Sequence, residues 1–405
     1  MVGKVERGAM EISGPKSFGK LPDGWRWASL ESVCDGVFDC PHSTPKLTQA
    51  GPFVARTQDI VSGKFRLREA GHVSPETYAE RITRAEPRYG DLLYSREGTY
   101  FGVAAEVPKG VQVCLGQRMV LLRPDASKIN FRFLRYWLNS PAMAAHVHGY
   151  HDGSVAQRLN MPTIRTLPTL LPEMHEQISV AVTLGALDEK IAANERIAAA
   201  SLELADSQFD LAAKGLDFGP ETFGSTATVV GGGTPSTKVE EFWGGGIAWA
   251  TPTDVTALSA PYLFETGRTV TGEGLENCAS QIYPAQSIFM TSRATIGAFA
   301  LPQIPAAVNQ GFIVVLPPTE ELRWWLFHEM RSRVEEMIGL ANGSTFLELS
   351  RKNFKAMPIR LASAQSIAEF ARAVSPLHRR AAQATAESRN LATLRDTLLP
   401  QLMSG

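Results

Sequence analysis

The chain has 405 residues, with 40 Lys and Arg against 41 Asp and Glu, a formal charge of −1. That length predicts two or more domains, and near-neutrality excludes a uniformly basic nucleic-acid coat while leaving room for local patches. No apolar run approaches the ~18 residues of a membrane-spanning helix. Four cysteines (Cys34, Cys40, Cys114, Cys278) make no disulfide framework, which predicts a cytoplasmic chain without membrane attachment.

In chain order, residues 1–19 read as an extension lacking the apolar core of a signal peptide. Residues 20–172 form a mixed segment of net charge +5. Within it, 91–95 and 118–123 read as strands and 131–138 as a helix, while His146, His148 and His151 fall on a loop after Pro141. Residues 173–215 are Ala-rich, free of internal Gly/Pro clusters, and net −5. Their apolar stripe Leu184, Leu187, Ile191, Asn194, Ile197, Ser201, Leu204, Gln208, Leu211 has coiled-coil spacing, with Asn194 as a register-fixing polar position. Residues 216–361 form a second mixed segment, net −4, with strands at 287–291 and 311–316 and a helix over 322–338. Residues 362–405 are again helical, net +2, with a stripe through Ile367, Phe370, Val374, Leu377, Ala381, Ala384, Ser388, Leu391, Leu394 and Leu398. Pro376 should kink this helix, because it lacks a donor and clashes one turn back. The two segments, opposite in charge and ~60 Å long if helical, are expected to pair antiparallel.

The two mixed segments repeat one another. Asp59 corresponds to Asp254, Gly102 to Gly297, Gln117 to Gln310, Gly153-Ser154 to Gly343-Ser344, Leu159 to Leu349 and Pro168 to Pro358, always in order. The fold class expected is therefore α+β: two similar α/β domains separated by an antiparallel pair of long helices. No catalytic constellation accompanies them. Gly231–Lys238 has the composition of a phosphate loop without its Gly-Lys-Ser/Thr order, and Cys34, Cys40 and His42 lack a second ligand pair for zinc. The chain is therefore expected to be non-catalytic, with no metal and no cofactor of its own.

Four stretches resemble the DNA specificity subunit of type I restriction–modification systems. They are Leu21-Pro22-Asp23-Gly24-Trp25 with Trp27; Gly233-Thr234-Pro235-Ser236-Thr237-Lys238 with Phe242-Trp243; Glu176-Gln177-Ile178 with Leu187-Asp188-Glu189-Lys190-Ile191; and the end Leu394 to Gly405. The resemblance implies two target recognition domains (20–172 and 216–361), each reading half of a split site in double-stranded DNA, and two spacer helices (173–215 and 362–405) that set the gap. It implies as partners two methyltransferase subunits and the translocating restriction subunits, which would carry the S-adenosylmethionine, ATP and magnesium chemistry. A duplicated scaffold without DNA specificity is the alternative.

Base readout uses Arg, Lys, Asn, Gln, Ser or Thr on loops that reach groove edges. On that basis Thr44, Lys46, Arg56, Gln58, Arg96, Tyr100, Arg118 and Arg158 are the DNA-binding candidates of the first domain. Thr234, Ser236, Lys238, Thr253, Arg293, Gln310, Arg351 and Lys352 are those of the second. Arg96 and Arg293 lead, each following a strand at matching places in the repeat. Asp59 and Asp254 are expected to cap turns. The second domain's negative charge predicts weak DNA binding by the isolated chain.

Overall fold

The computed structural model describes residues 13–15, 18–61, 63–98, 100–149, 158–343 and 347–404. They fall into two compact units, Met1–Glu189 with Ala392–Gly405, and Lys190–Leu391. In the first unit, β1 (Cys34–Asp39), β2 (Thr48–Ala55), β3 (Gly71–His72), β4 (Leu92–Ser95), β5 (Ala104–Glu106), β6 (Val113–Leu115) and β7 (Met119–Pro124) build two sheets, ordered β1-β7-β4-β5 and β3-β2-β6. In the second, β8 (Thr228–Val230), β9 (Trp243–Ala250), β10 (Tyr262–Leu263), β11 (Arg268–Val270), β12 (Ile288–Thr291), β13 (Phe299–Pro302), β14 (Ala306–Val308) and β15 (Phe312–Leu316) are ordered β8-β15-β12-β13-β10 and β11-β9-β14. The repeat is thus structural. β2 runs parallel to β6 and antiparallel to β3, as β9 runs parallel to β14 and antiparallel to β11.

The continuous apolar runs have a physical cause. Successive strand residues point to opposite faces, and here both faces are covered. Leu92, Tyr94, Val120 and Leu122 enter a core with Phe133 and Trp137, whereas Leu93, Met119 and Leu121 enter another with Ile60. The second unit repeats the division, with Ile288, Met290, Ile313 and Val315 on one side and Phe289, Phe312 and Val314 on the other.

α1 (Phe131–Leu138) lies where the sequence predicts it, its cap Asn130 accepting from the Arg132 and Phe133 amides. Two helical expectations need correction. His146 and His148 sit on α2 (Pro141–His148), not on a loop, because Ser140 caps the Met143 amide and Pro141 opens the first turn; His151 lies outside the described residues. The single helix expected over 322–338 is two, α3 (Glu320–Arg331) and α4 (Val334–Gly339). They part at Arg333, whose backbone leaves the helical region (φ −124°, ψ 23°) while its buried guanidinium grips Glu329 and Glu336.

The long helices are Met174–Ala212 and Ala364–Leu402, 39 residues each. Pro376 does not end the second one. It lies on an exposed face, where water can serve the carbonyl it leaves unpaired. In the first unit the helices meet at Asp188, which accepts from Arg135 (2.9 Å), Tyr136 (2.6 Å) and Arg395 (2.8 Å). In the second unit the fully buried Asn194 donates to Glu387 (2.8 Å), which also pairs with Lys190 (3.0 Å).

The expected seam slips by one residue beyond Asn194. Ala198, Leu202, Ala205, Phe209 and Ala213 are buried, whereas Leu204 and Leu211 are exposed. Steps of 4, 3, 4 and 4 follow the turn of a straight helix against a globular core rather than the 3.5-residue period of a supercoil. In the second helix Ile367, Phe370, Val374, Ala381 and Ala384 are buried as expected, but His378 and Leu399 are buried in place of Leu377 and Leu398. His378 belongs to a buried polar relay. Tyr262 hydrogen-bonds His378 Nδ1 (2.9 Å), the two Nε2 atoms of His378 and His328 are 2.9 Å apart, and His328 Nδ1 meets Asp206 (2.7 Å), which Arg331 also grips.

Candidate nucleic-acid interface

The loops joining the two sheets of each unit carry most of the polar candidates, and in both units they are fastened by the same clasp. Thr44 follows β1 and donates to Gln117 Oε1 (3.0 Å) just before β7. Thr234 follows β8 and donates to Gln310 Oε1 just before β15. The next loop also matches. Asp59 accepts from the Arg56 amide (2.9 Å) as Asp254 does from the Thr251 amide (2.7 Å), so both acids cap turns as expected. Gln58 and Thr253 stand exposed on those turns.

The third loop follows β4 and β12, and here the equivalence moves by one residue. The Arg96 amide donates to the Arg118 carbonyl and its carbonyl accepts from Leu159; Ser292 makes the same two bonds, to Gly311 and from Leu349. Arg96 therefore matches Ser292, and Arg293 matches Glu97. Glu97 and Arg293 each form a strand bridge, to Arg158 and to Glu348 respectively. The charges are exchanged: Glu and Arg in one unit, Arg and Glu in the other.

Three of the candidate arginines of the first unit are neutralised locally. Arg56 holds the buried Asp59 through two bonds of 2.8 Å. Arg96 reaches Asp39 at 3.1 Å and Arg118 reaches Glu97 at 3.3 Å. Arg118 also adopts a left-handed backbone (φ 70°), a conformation that costs a non-glycine residue about 1–2 kcal/mol. Lys46 and Arg158 are exposed and Tyr100 is half-buried. Asp39, Cys40 and His42 bring one ligand atom each within 4.8 Å of one another, yet the Arg96 guanidinium already supplies positive charge at that spot.

In the second unit Arg293 pairs with Glu348 (2.8 Å). Ser236 accepts the Trp243 indole through its carbonyl (3.2 Å), and Lys238 is exposed. The glycine run 231–233 serves close packing. A Cβ on Gly232 would lie 2.0 Å from the Val308 carbonyl oxygen, and one on Gly233 would lie 2.7 Å from the Ala279 nitrogen. Arg351 lies against Gly231, and with Lys352 it opens a short helix, α5 (Arg351–Ala356). Four residues of this surface escaped the sequence nominations: Gln117, Glu97, Glu348 and Lys355. Gln117 alone was signalled, through its repeat partner Gln310. The equivalences proposed for 153–154 and 344 lie outside the described residues.

Comparisons with known proteins accord with this arrangement. Residues 221–385 match the family described as the type I restriction modification DNA specificity domain. The chain is 34% identical over 149 residues to the type I restriction enzyme MjaIX specificity subunit of Methanocaldococcus jannaschii, covering 36% of this chain and 34% of that protein. It is 24% identical over 229 residues to the EcoR124I/EcoR124II specificity subunit of Escherichia coli, covering 54% and 55%. The chain thus spans a third to about half the length of these curated relatives. Its fold is similar to the crystal structure of the type I restriction–modification S subunit from M. genitalium, with a TM-score of 0.56 and 16% identity, covering 96% of this chain and 99% of that one.

Proposed function

We propose that this chain, a relative of type I restriction–modification specificity subunits whose residues 221–385 are a DNA specificity domain, is the sequence-reading subunit of such a complex. The observation that carries the reading is the duplicated loop surface: two units present the same Thr–Gln clasp and the same capped turn, with different charges set on them. Two like frames with unlike side chains suit the reading of two different half-sites.

In this reading residues 20–172 and 216–361 each contact one half of a bipartite site in duplex DNA. The helices of 173–215 and 362–405 set the number of unread base pairs, as protein geometry sets half-site spacing in other two-part readers. The candidates named above make the contacts. The chain itself catalyses nothing. Two methyltransferase subunits and the translocating restriction subunits dock on it in the cytoplasm and bring S-adenosylmethionine, ATP and magnesium. Co-expression with the cognate methyltransferase and mapping of methylated adenines tests this: a bipartite motif with a constant gap is expected, and methylation at one continuous motif or at random sites would refute it.

A further inference from the structure

We propose that the DNA backbone is gripped asymmetrically, by a basic strip of Arg351, Lys352 and Lys355 in the second unit that has no counterpart in the first. This rests on the DNA-reading role above and specifies which phosphate contacts support it.

The strip follows from the local sequence. Ser350 caps α5 by accepting from the Asn353 amide. Phe354 turns inward and stacks on Phe223 with ring centroids 4.5 Å apart. Phe354 is committed to the core, whereas positions 351, 352 and 355 stay at the surface of the turn. All three are exposed, and together with Thr222 and Gly224 they line a shallow hollow of about 640 Å³. Among the described residues none of the three has a carboxylate within ion-pair distance. That is unusual on a segment of net charge −4, where acids outnumber bases and could have neutralised them. The strip begins at the reading surface, because Arg351 lies against Gly231, three residues before the Thr234 clasp.

The equivalent helix of the first unit, Met161–Arg165, carries a single cation. Arg165 is bound to Glu31 at 3.4 Å. Three cations without ion pairs on one capped turn suit the phosphate oxygens of a duplex; no small acidic ligand is needed to explain them, and the exposed hollow has no enclosing walls to hold one. They position the duplex without reading bases.

The test is the salt dependence of binding by the full chain to a ~30-base-pair duplex of random sequence. Each phosphate neutralised contributes about 0.9 to the slope of log K against log salt. Replacing Arg351, Lys352 and Lys355 together by Gln should flatten the slope by about 2.7, so that the affinity lost between ~50 and ~200 mM salt shrinks by about 40-fold. Arg165→Gln should leave the slope unchanged. Thermal melting of both variants should stay close to the parent, since Arg351, Lys352 and Lys355 are exposed and Arg165 gives up a single half-exposed ion pair. An unchanged slope in the triple variant, with the parent binding normally, overturns the strip and leaves the DNA-reading role standing. Loss of methyltransferase association with an unchanged slope overturns it too, by making the strip a protein-docking surface. A slope flattened equally by Arg165→Gln overturns the asymmetry. A parent chain that binds no duplex even with its methyltransferase sinks the DNA-reading role itself.

Discussion

The two units share a frame and differ in how charge is wired onto it. Both clasp the loop after the first strand with a Thr–Gln pair and cap the next turn with an acid. Yet the first unit neutralises three of its loop arginines on the spot, Arg56 on Asp59, Arg96 on Asp39 and Arg118 on Glu97, whereas the second pairs Arg293 with Glu348 but leaves Arg351, Lys352 and Lys355 without an ion pair among the described residues. Segment totals point the other way, +5 against −4. The lesson is that net charge says little about a binding surface until pairing is known, because an ion-paired guanidinium must give up its partner before it can serve a phosphate or a base.

The units also differ in what fastens the long helices, and this gives the largest expected effect. In the first unit a charge cluster does so: burial raises the Asp188 carboxyl, but Arg135, Tyr136 and Arg395 outweigh it and hold the pKa below the ordinary value. Asp188→Ala leaves Arg135 buried with less compensation and should cost about 3 kcal/mol. It should be read as faster amide exchange at Leu184 and Leu399, with exchange at Phe209 unchanged. Equal acceleration in both units would mean that they do not open separately.

Acid should separate the units next. Burial lowers the His328 and His378 pKa values from their ordinary 6.5, with Asp206 and Asp210 opposing the effect at His328 and Arg331, Arg323 and the neighbouring imidazole reinforcing it at His378. Protonation of both rings would set two N–H donors against each other across 2.9 Å. A histidine with a lowered folded pKa binds fewer protons folded than unfolded. Its stabilisation is therefore whole above pH 6.5 and lost as pH falls below it, at up to ~1.4 kcal/mol per pH unit for each ring. Asp188 is held below the ordinary carboxylate range, so its unit should hold through that range. Exchange followed from pH 7 to 5 should accelerate at Phe370 but not at Leu184; parallel acceleration would contradict the relay's part.

Smaller effects sharpen the loop comparison. Arg96→Ala or Arg293→Ala should lower methylation at the cognate site by roughly tenfold, one good base contact being worth ~1–3 kcal/mol, without unfolding the chain. Unchanged methylation would remove that residue from the reading set. Gly98 (φ 98°) and Ala294 (φ 59°) hold the same left-handed position after the strand. Gly98→Ala should cost about 1 kcal/mol, and Ala294→Gly should stabilise its unit by about 0.5 kcal/mol. Denaturant midpoints that move the same way in both variants would show that the two loops are not equivalent.

Much of the fold was legible because its signals are local. Apolar runs, caps such as Asn130 and the spacing of Asp59 and Asp254 each act over a few residues. The repeat made Gln117 and Gln310 legible as a pair. What stayed hidden depends on partners remote in sequence. Ala198 is buried in place of Ile197 because the helix face is chosen by the core it meets, not by the more apolar neighbour. The break at Arg333 is set by Glu329, Glu336 and the Pro358 carbonyl together. The one-residue shift that aligns Arg293 with Glu97 shows only in the backbone bridges, because two arginines after two strands look equivalent by pattern. Pairing, which separates Arg56 from Lys352, cannot be read from composition.

The central claim is that each unit reads its own half of the site, and the Thr–Gln clasps allow it to be tested one half at a time. Thr44→Ala and Thr234→Ala each remove one hydrogen bond, worth about 1 kcal/mol, from a single loop. The motif methylated by the complex should be mapped for the parent and both variants. Relaxed base preference in one half for Thr44→Ala, and in the other half for Thr234→Ala, with the gap unchanged, is the predicted result. Relaxation of both halves by either substitution, or of neither by both, would contradict it.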